Sequence, residues 1–223
     1  MILFFICCTI YIAALLFVRP YEHNLKAVPL TFVQNFKLIQ ASLYLGIFLL
    51  SIFFITSNYN FLVINERTYH LLALSNEITI SLPYQIITHL FIHIDLFHLL
   101  GNIAGIGLAS LYERRVGSKR FLSILAIGCI ASIPSTLFHA EATSVAGISG
   151  GVYGLFSAYF VDRAELTIKE WLSTCLIVAV VMLIISVGQT YQYSSNDYQI
   201  DHIGHMLGAI FVMFYCRFKP FRL

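Results

Sequence analysis

The chain has 223 residues, of which 59% are hydrophobic and only 11% are charged, whereas roughly 25% of the residues in an ordinary soluble domain are charged. Its mean hydropathy is +0.83 and its formal net charge is only +2, so the composition excludes a soluble globular domain and gives no reason to expect a nucleic-acid partner. The five cysteines match no metal-binding or thiol-exchange spacing, and we interpret them as small buried hydrophobic residues.

Seven apolar segments follow one another along the chain, each close to the ~20 residues that a helix needs to cross the hydrocarbon core. We therefore predict an all-α, polytopic membrane helix bundle with no internal repeat. The first segment lacks a basic leader and a small-residue cleavage site, which favours a retained helix over a signal peptide. The segments are Ile2–Val18, Ile39–Thr56, Ile86–Leu111, Phe121–Phe138, Val145–Val161, Trp171–Gly188 and Ile200–Cys216.

The basic residues are distributed unevenly between the loops that join these segments. If all seven segments span the membrane, twelve of the thirteen Lys and Arg residues fall on one side, and only Arg67 falls on the other. Cytoplasmic loops carry the excess of Lys and Arg, so we expect a cytoplasmic C-terminus and an external N-terminus. No long transit peptide precedes the first segment, which favours a bacterial plasma (inner) membrane over an organelle.

Three clusters of polar residues lie near the outer ends of segments that run inward. The third segment carries His93 and His98, the fifth carries Ser149, and the seventh carries His205. Polar side chains inside a membrane are costly unless they have partners. Their common depth therefore predicts one shared interior site that opens to the outer side.

The third segment presents two hydrogen-bonding side chains on one helical face. His98 and Asn102 are four residues apart, so both can point at one spot. His93 lies five residues before His98 and is turned away from that face. We predict that His93 holds the preceding loop rather than reacting.

The fifth and seventh segments are rich in glycine around their polar residues. Ser149 and Tyr153 are four residues apart on one face, and Gly147 and Gly150 remove side-chain bulk beside them. Small residues let neighbouring membrane helices approach closely. A similar stripe in the seventh segment, which includes Gly208, would allow the two helices to touch and bring the serine to the histidine of that segment.

These residues are those that serine chemistry requires. A serine hydroxyl is a weak nucleophile until an adjacent base takes its proton, and the resulting oxyanion needs preorganised donors. Ser149 and His205 fit the roles of nucleophile and base. The backbone N–H of Ser149, together with His98 and Asn102, fits the oxyanion hole.

Two assignments near the seventh segment remain open at this point. His202 is a rival base, although it lies nearer the outer boundary of the segment than His205. Asp201 lies one turn before His205, so it either orients the imidazole or is a solvated loop carboxylate.

At this point the sequence resembles the rhomboid family of intramembrane serine proteases, over roughly Ile39 to Cys216. The family combines a His-x4-His-x3-Asn pattern, a Gly-x-Ser-Gly motif with a following tyrosine, and a His-x-x-Gly motif on three separate helices. The matching residues, in chain order, are His93, His98, Asn102, Gly147, Ser149, Gly150, Tyr153, His205 and Gly208.

The resemblance implies a rhomboid-like six-helix protease core at residues 39–218. An extra N-terminal membrane segment with a cytoplasmic linker would occupy 1–38, and a short cytoplasmic tail 219–223. It also implies that a Ser149–His205 dyad cleaves transmembrane segments of other membrane proteins through an acyl-enzyme, with Tyr153 packed on the catalytic histidine. The expected partners are transmembrane substrates and the lipid bilayer, with no metal or other cofactor; the oligomeric state stays open.

Two other classes of function remain as alternatives. A metal-ion transporter could use a cluster of imidazoles, although the chain has no His-Glu-x-x-His motif and no carboxylate deep in a segment. A non-catalytic rhomboid-like protein would bind membrane helices without cutting them, but such relatives typically lose the serine or the histidine. The candidate cluster is His89, His93, His98, His202 and His205.

Overall fold

The structure is a computed structural model that describes residues 1–18, 30–76, 82–139, 143–193 and 200–222, with the backbone alone for 186–193. Most of the described residues are helical, as predicted, and strands are almost absent from them. The elements are α1 (Ile2–Phe17), α2 (Phe32–Leu38), α3 (Gln40–Thr56), α4 (Glu66–Leu72), β1 (Leu74–Ser75), α5 (Gln85–Thr88), α6 (Leu96–Ser132), a 3₁₀ helix (Ile133–Phe138), β2 (Ser144–Val145), α7 (Ser149–Val161), α8 (Ile168–Tyr193) and α9 (His202–Phe218).

The apolar helices make this a polytopic membrane helix bundle, which confirms the predicted fold class. By length and composition, two stretches within the described residues are long enough to cross a membrane, Leu96–Phe138 and Ile168–Ile185. A third is added if α2 and α3, bent by 74°, form one span. Helices α1 and α9 are apolar but shorter, with 16 and 17 residues.

Helix α6 joins the third and fourth predicted segments, although the sequence predicts a basic loop between them. A straight helix of its 37 residues would be about 55 Å long. Its two ends nevertheless meet the chain around the start of α7, because His98 lies against Gly147 and Ser132 lies against Gly150. The chain therefore folds back within α6 and forms two arms.

The reversal occurs at Gly117, whose backbone is non-helical with φ 80° and ψ 161°. A positive φ of this size suits glycine, because a side chain would be strained there. The basic loop predicted between the third and fourth segments is therefore too long. Residues 96–116 and 118–132 are helical, and only Gly117 interrupts them. Hydropathy alone could not show this, because polar residues at the end of a helix lower it as much as a loop does.

The third predicted segment also begins too early. Helix α6 starts at Leu96, and Asp95 caps it by accepting a hydrogen bond from the backbone N–H of His98 at 2.7 Å. The residues before Asp95 form α5 and a loop, so His93 lies outside the helix. A capping carboxylate accepts hydrogen bonds from the free N–H groups of the first turn. Because apolar residues lie on both sides of Asp95, hydropathy gives no signal for this helix start.

The fifth predicted segment begins too early for a different reason. Its first residue, Val145, belongs to strand β2 and pairs with Leu74 in an antiparallel two-stranded sheet. Helix α7 starts only at Ser149. The nucleophile expected from the sequence is therefore the first residue of its helix, immediately after an extended segment.

Glycines bring the second arm of α6, α7 and α9 into direct backbone contact. A Cβ added at Gly208 would overlap the carbonyl oxygen of Gly150 and lie 3.0 Å from that of Gly128. On the next turn Gly154 faces Val212, which is fully buried. This close contact fixes the start of α7 against the start of α9.

The N-terminal helix packs against α3 as part of the same hydrophobic core. Tyr11 and Leu15 are buried in it, and the Tyr11 hydroxyl donates to the carbonyl oxygen of Ser42 at 2.6 Å. The Asn35 side chain in α2 donates to the carbonyl oxygen of Leu15 at 3.0 Å. Helix α1 is therefore docked on the bundle at both its middle and its end.

A buried ion pair joins three elements at the opposite end of the bundle from Ser149. Asp162, directly after α7, is fully buried and accepts two hydrogen bonds from Arg120 at 2.9 and 3.0 Å. It also accepts from the Tyr112 hydroxyl and from the backbone N–H of Phe221 at 2.8 Å. The carboxylate thus ties α6 and α7 to the segment after α9.

Candidate active site

The starts of α7 and α9 bring a serine and a histidine together. The Nε2 atom of His205 lies 2.8 Å from the Oγ atom of Ser149, across 56 positions of sequence. At this distance the hydroxyl donates to the neutral imidazole when the ring proton is on Nδ1. The pair has the geometry of a nucleophile with an adjacent general base.

The His205 ring is held by stacking. It is buried and lies parallel to the Tyr153 ring, with 4.2 Å between centroids and 12° between planes. Its Nδ1 atom has no hydrogen-bond partner among the described residues. The ring of His202, the rival base, packs edge to face with the His205 ring, with 6.2 Å between centroids. The histidine at hydrogen-bond distance from Ser149 is His205.

Asp201 fits neither interpretation that the sequence left open. It caps α9, because its carboxylate accepts from the backbone N–H of Gly204 at 2.8 Å and from the Ser135 hydroxyl at 2.5 Å. His139 Nε2 lies 3.1 Å from the same carboxylate. Asp201 is therefore a hydrogen-bonded cap of α9, neither a solvated loop residue nor a partner of the His205 ring.

An extended strand and a glycine place Ser149 at the start of α7. Gly147 has a φ of +111°, and its N–H donates to the carbonyl oxygen of His89 at 2.8 Å. Helix α7 begins two residues later. The N–H groups of a first helical turn have no carbonyl partner within the helix, so the amide of Ser149 is oriented as a donor beside its own hydroxyl.

His98 and Asn102 reach the same stretch of backbone from α6. A Cβ added at Gly147 would lie 2.9 Å from His98 Nε2 and 3.7 Å from Asn102 Nδ2. The Asn102 amide also donates to the carbonyl oxygen of His98 at 3.2 Å. Both side chains therefore lie beside Gly147, two residues before Ser149.

His93 lies beside His98. Its ring is fully buried and meets the His98 ring edge to face, with 5.1 Å between centroids. Neither of its ring nitrogens has a hydrogen-bond partner among the described residues. His93 packs the loop before α6 against His98.

The histidines named for a metal transporter do not gather into a metal site in the part of the chain that the structure describes. No group of three or more His, Cys, Asp or Glu residues there is arranged to hold a metal ion. His89, for example, directs its Nδ1 atom at the carbonyl oxygen of Gln85, 2.7 Å away.

A polar pocket next to Ser149 contains two serines that the sequence pattern did not indicate. Ser132, Ser135 and His89 line it together with Asp201. The serines carry no spacing signal, because they come from the end of α6 and from the 3₁₀ helix. Asp201, three residues before Gly204 at the start of an apolar run, has the position of an N-cap and could have been recognised as one.

A comparison with known protein families finds a match that covers more than half of the chain. The family model described as the Rhomboid domain matches residues 82–219. That range includes the serine, the histidines and the asparagine described above. A search of curated proteins finds no match.

Proposed function

The chain belongs to the rhomboid family, and from this premise we propose that it is a serine endopeptidase that cleaves transmembrane segments of other membrane proteins. The observation that carries the proposal is the distance of 2.8 Å between Ser149 Oγ and His205 Nε2. A serine that served only to pack a glycine-rich helix would not require a buried imidazole at hydrogen-bond distance.

The proposed reaction proceeds in two halves. His205 takes the Ser149 proton while Oγ attacks the scissile carbonyl carbon, and the oxyanion accepts hydrogen bonds from the Ser149 amide, His98 and Asn102. The C–N bond then breaks as His205 gives its proton to the leaving amine, which leaves an acyl-enzyme. In the second half His205 deprotonates a water molecule, which attacks the ester and releases the new carboxyl end and Ser149.

Supporting residues hold this arrangement. Tyr153 stacks on His205 and limits rotation of the ring, while the close contact between Gly150 and Gly208 sets the distance between the two helices. Gly147 leaves room for His98 and Asn102 to approach the backbone before Ser149.

The depth of the site follows from the length of α7. Its 13 residues span about 20 Å, against about 30 Å for the hydrocarbon core. With the far end of α7 at the cytoplasmic boundary, Ser149 lies inside the membrane thickness and receives water from the outer side. We assign residues 39–218 to the protease core, 1–38 to the extra N-terminal unit and 219–223 to the cytoplasmic tail.

The test is proteolysis in liposomes that contain only the purified protein and a fluorescent transmembrane substrate. We expect Ser149→Ala and His205→Ala each to lower the cleavage rate at least about 10³-fold, since loss of either member of such a pair removes nucleophilic catalysis. Ser157→Ala is the matched control, because Ser157 lies on the same helix and donates to the Tyr153 carbonyl. Cleavage by Ser149→Ala at the control rate would refute the proposal.

The same assay separates the two alternatives. A metal-ion transporter would not cleave the substrate, whereas the proposed reaction proceeds even in the presence of a chelator. A non-catalytic family member would bind the substrate without cutting it, and wild type would then match Ser149→Ala.

A further inference from the structure

The loop that follows α3 begins with a left-handed backbone. Asn58, Tyr59 and Phe61 have φ values of 50°, 64° and 61°. Residues other than glycine adopt such values rarely, and an aromatic residue keeps one only where the surrounding structure holds it there. Of the three, Phe61 is the one whose side chain is fully buried, so the packing of Phe61 holds the loop in this conformation.

The Phe61 ring packs against both α3 and the N-terminal helix. It meets the Phe53 ring of α3 edge to face with 5.4 Å between centroids, and the Phe4 ring of α1 in the same way with 5.6 Å. Phe4 also stacks on Phe54 of α3, with 4.6 Å between centroids and 15° between planes. The start of α1 therefore forms one wall of the site that holds Phe61, although α1 lies outside the proposed protease core.

The next three residues of the loop, 62–64, pair with residues 94–96 at the start of α6. The pairing is antiparallel, with Val63 opposite Asp95. Asp95 caps α6 by accepting from the His98 N–H at 2.7 Å, so the position of the loop sets the position of this cap. Two backbone hydrogen bonds of 2.9 Å join the two segments, from the N–H of Leu96 to the carbonyl oxygen of Leu62 and from the N–H of Ile64 to that of Ile94.

A helix can support a loop only if it is itself fixed to the bundle. At the end of α1 remote from Phe4, Arg114 of α6 donates to the carbonyl oxygens of Val18 and Leu15 at 3.1 and 3.4 Å. The last carbonyl groups of a helix have no partner within it, so these bonds cap α1. Arg114 Nε also donates to Asn35 Oδ1 at 3.0 Å, which joins the cap to α2.

We infer that α1 positions the proposed oxyanion hole, with Phe4 and Phe61 as the positioning residues. Phe4 holds Phe61, and Phe61 holds the segment 62–64. That segment fixes Asp95, whose carboxylate orients the first turn of α6 and with it His98. The inference rests on the proposed function, in which His98 donates to the oxyanion, and it gives the N-terminal helix a role in the reaction that acts through the loop.

The experiment replaces Phe4 by alanine and measures kcat and KM for a transmembrane substrate in liposomes. Loss of a whole oxyanion donor costs about 10²–10³-fold in kcat, and a displaced donor costs part of that. We expect Phe4→Ala to lower kcat about tenfold and to change KM less than about twofold, because an oxyanion donor acts only in the transition state. The matched control is Phe17→Ala, which should leave both constants unchanged because Phe17 lies at the other end of α1 and is 67% exposed.

A double-mutant cycle with His98→Ala separates positioning from a general loss of stability. If Phe4 acts through His98, Phe4→Ala has no further effect once the imidazole is gone. The kcat values of His98→Ala and of the double variant should then agree within about twofold. A defect that acts by another route would lower kcat about tenfold in both backgrounds.

Amide hydrogen exchange in detergent gives a readout that does not depend on activity. We expect the N–H groups of Ile64 and Leu96, which make the two bonds between the loop and α6, to exchange at least about tenfold faster in Phe4→Ala than in Phe17→Ala. Phe4→Leu, which keeps a large apolar side chain, should lie between Phe4→Ala and wild type in both measurements, and it carries the same comparison if Phe4→Ala does not fold.

The possible failures are distinguishable. If wild type does not cleave the substrate, the proposed function is refuted. If wild type cleaves it but Phe4→Ala matches the Phe17→Ala control in kcat or in exchange, the enzyme stands and the role of α1 is overturned. A fall in kcat that persists in the His98→Ala background overturns that role as well.

Discussion

The replacement of Gly208 by alanine tests whether direct helix contact positions the proposed dyad. The added carbon would overlap the carbonyl oxygen of Gly150 and lie 2.9 Å from its carbonyl carbon and 3.0 Å from Gly128 O, where ordinary contacts begin at 3.4 Å. All of these neighbours are backbone atoms, which cannot rotate away. Helix α9 must therefore move from α7 by about 1 Å to accommodate the methyl group.

This displacement is large for the dyad, because Gly208 is one turn after His205. The distance of 2.8 Å between Ser149 Oγ and His205 Nε2 would grow to roughly 3.8 Å, beyond hydrogen-bond range. A misplacement of this size costs about 10²-fold in rate, or about 2.7 kcal/mol in the activation barrier. Overpacking also destabilises the fold by about 1–3 kcal/mol.

The assay is kcat for a transmembrane substrate in liposomes, with thermal unfolding measured in detergent. The matched control is Gly101→Ala, because a Cβ there meets no atom within 4 Å, and alanine stabilises an exposed helical position by about 0.5–1 kcal/mol. We expect a fall of about 10²-fold in kcat for Gly208→Ala relative to this control. Equal kcat values for the two variants would refute the argument that glycine contact sets the dyad distance.

Three further predictions concern single side chains. Asn102→Ala should lower kcat by about 10²-fold, as for one oxyanion donor, and full activity would show that the other donors suffice. Arg120→Leu leaves the buried carboxylate of Asp162 unpaired and should lower the free energy of unfolding by about 3–5 kcal/mol; a loss no larger than that of the exposed Lys119→Leu would contradict this. Tyr11→Phe removes the hydrogen bond that docks α1 on α3 and should lower the free energy of unfolding in detergent by about 1 kcal/mol, whereas an unchanged value would mean that this contact does not stabilise the bundle.

The helical elements were predictable because apolar length is a direct requirement of the membrane. Residues four apart share a helical face, so the proximity of His98 to Asn102 and of Ser149 to Tyr153 follows from spacing alone. The direction of the segments gave a reason to expect Ser149 near His205, and in the structure these side chains lie at hydrogen-bond distance.

The boundaries and the pocket were not predictable in the same way. The cap at Asp95 and strand β2 lie inside apolar runs, where hydropathy carries no signal for a break. The contacts of Asp201 with Ser135 and His139 join residues more than 60 positions apart, and no local periodicity encodes such a pairing. The pocket forms only when the 3₁₀ helix, the end of α6 and the starts of α7 and α9 pack together.

The most direct test of the central claim is labelling with a fluorophosphonate probe, which reacts with a serine only when a neighbouring base activates it. In detergent, we expect wild type to be labelled on Ser149, as identified by mass spectrometry of the labelled peptide. Ser149→Ala and His205→Ala should show no labelling, and Ser157→Ala should be labelled as wild type is. Undiminished labelling of His205→Ala, or a label on wild type that lies elsewhere than Ser149, would contradict the account.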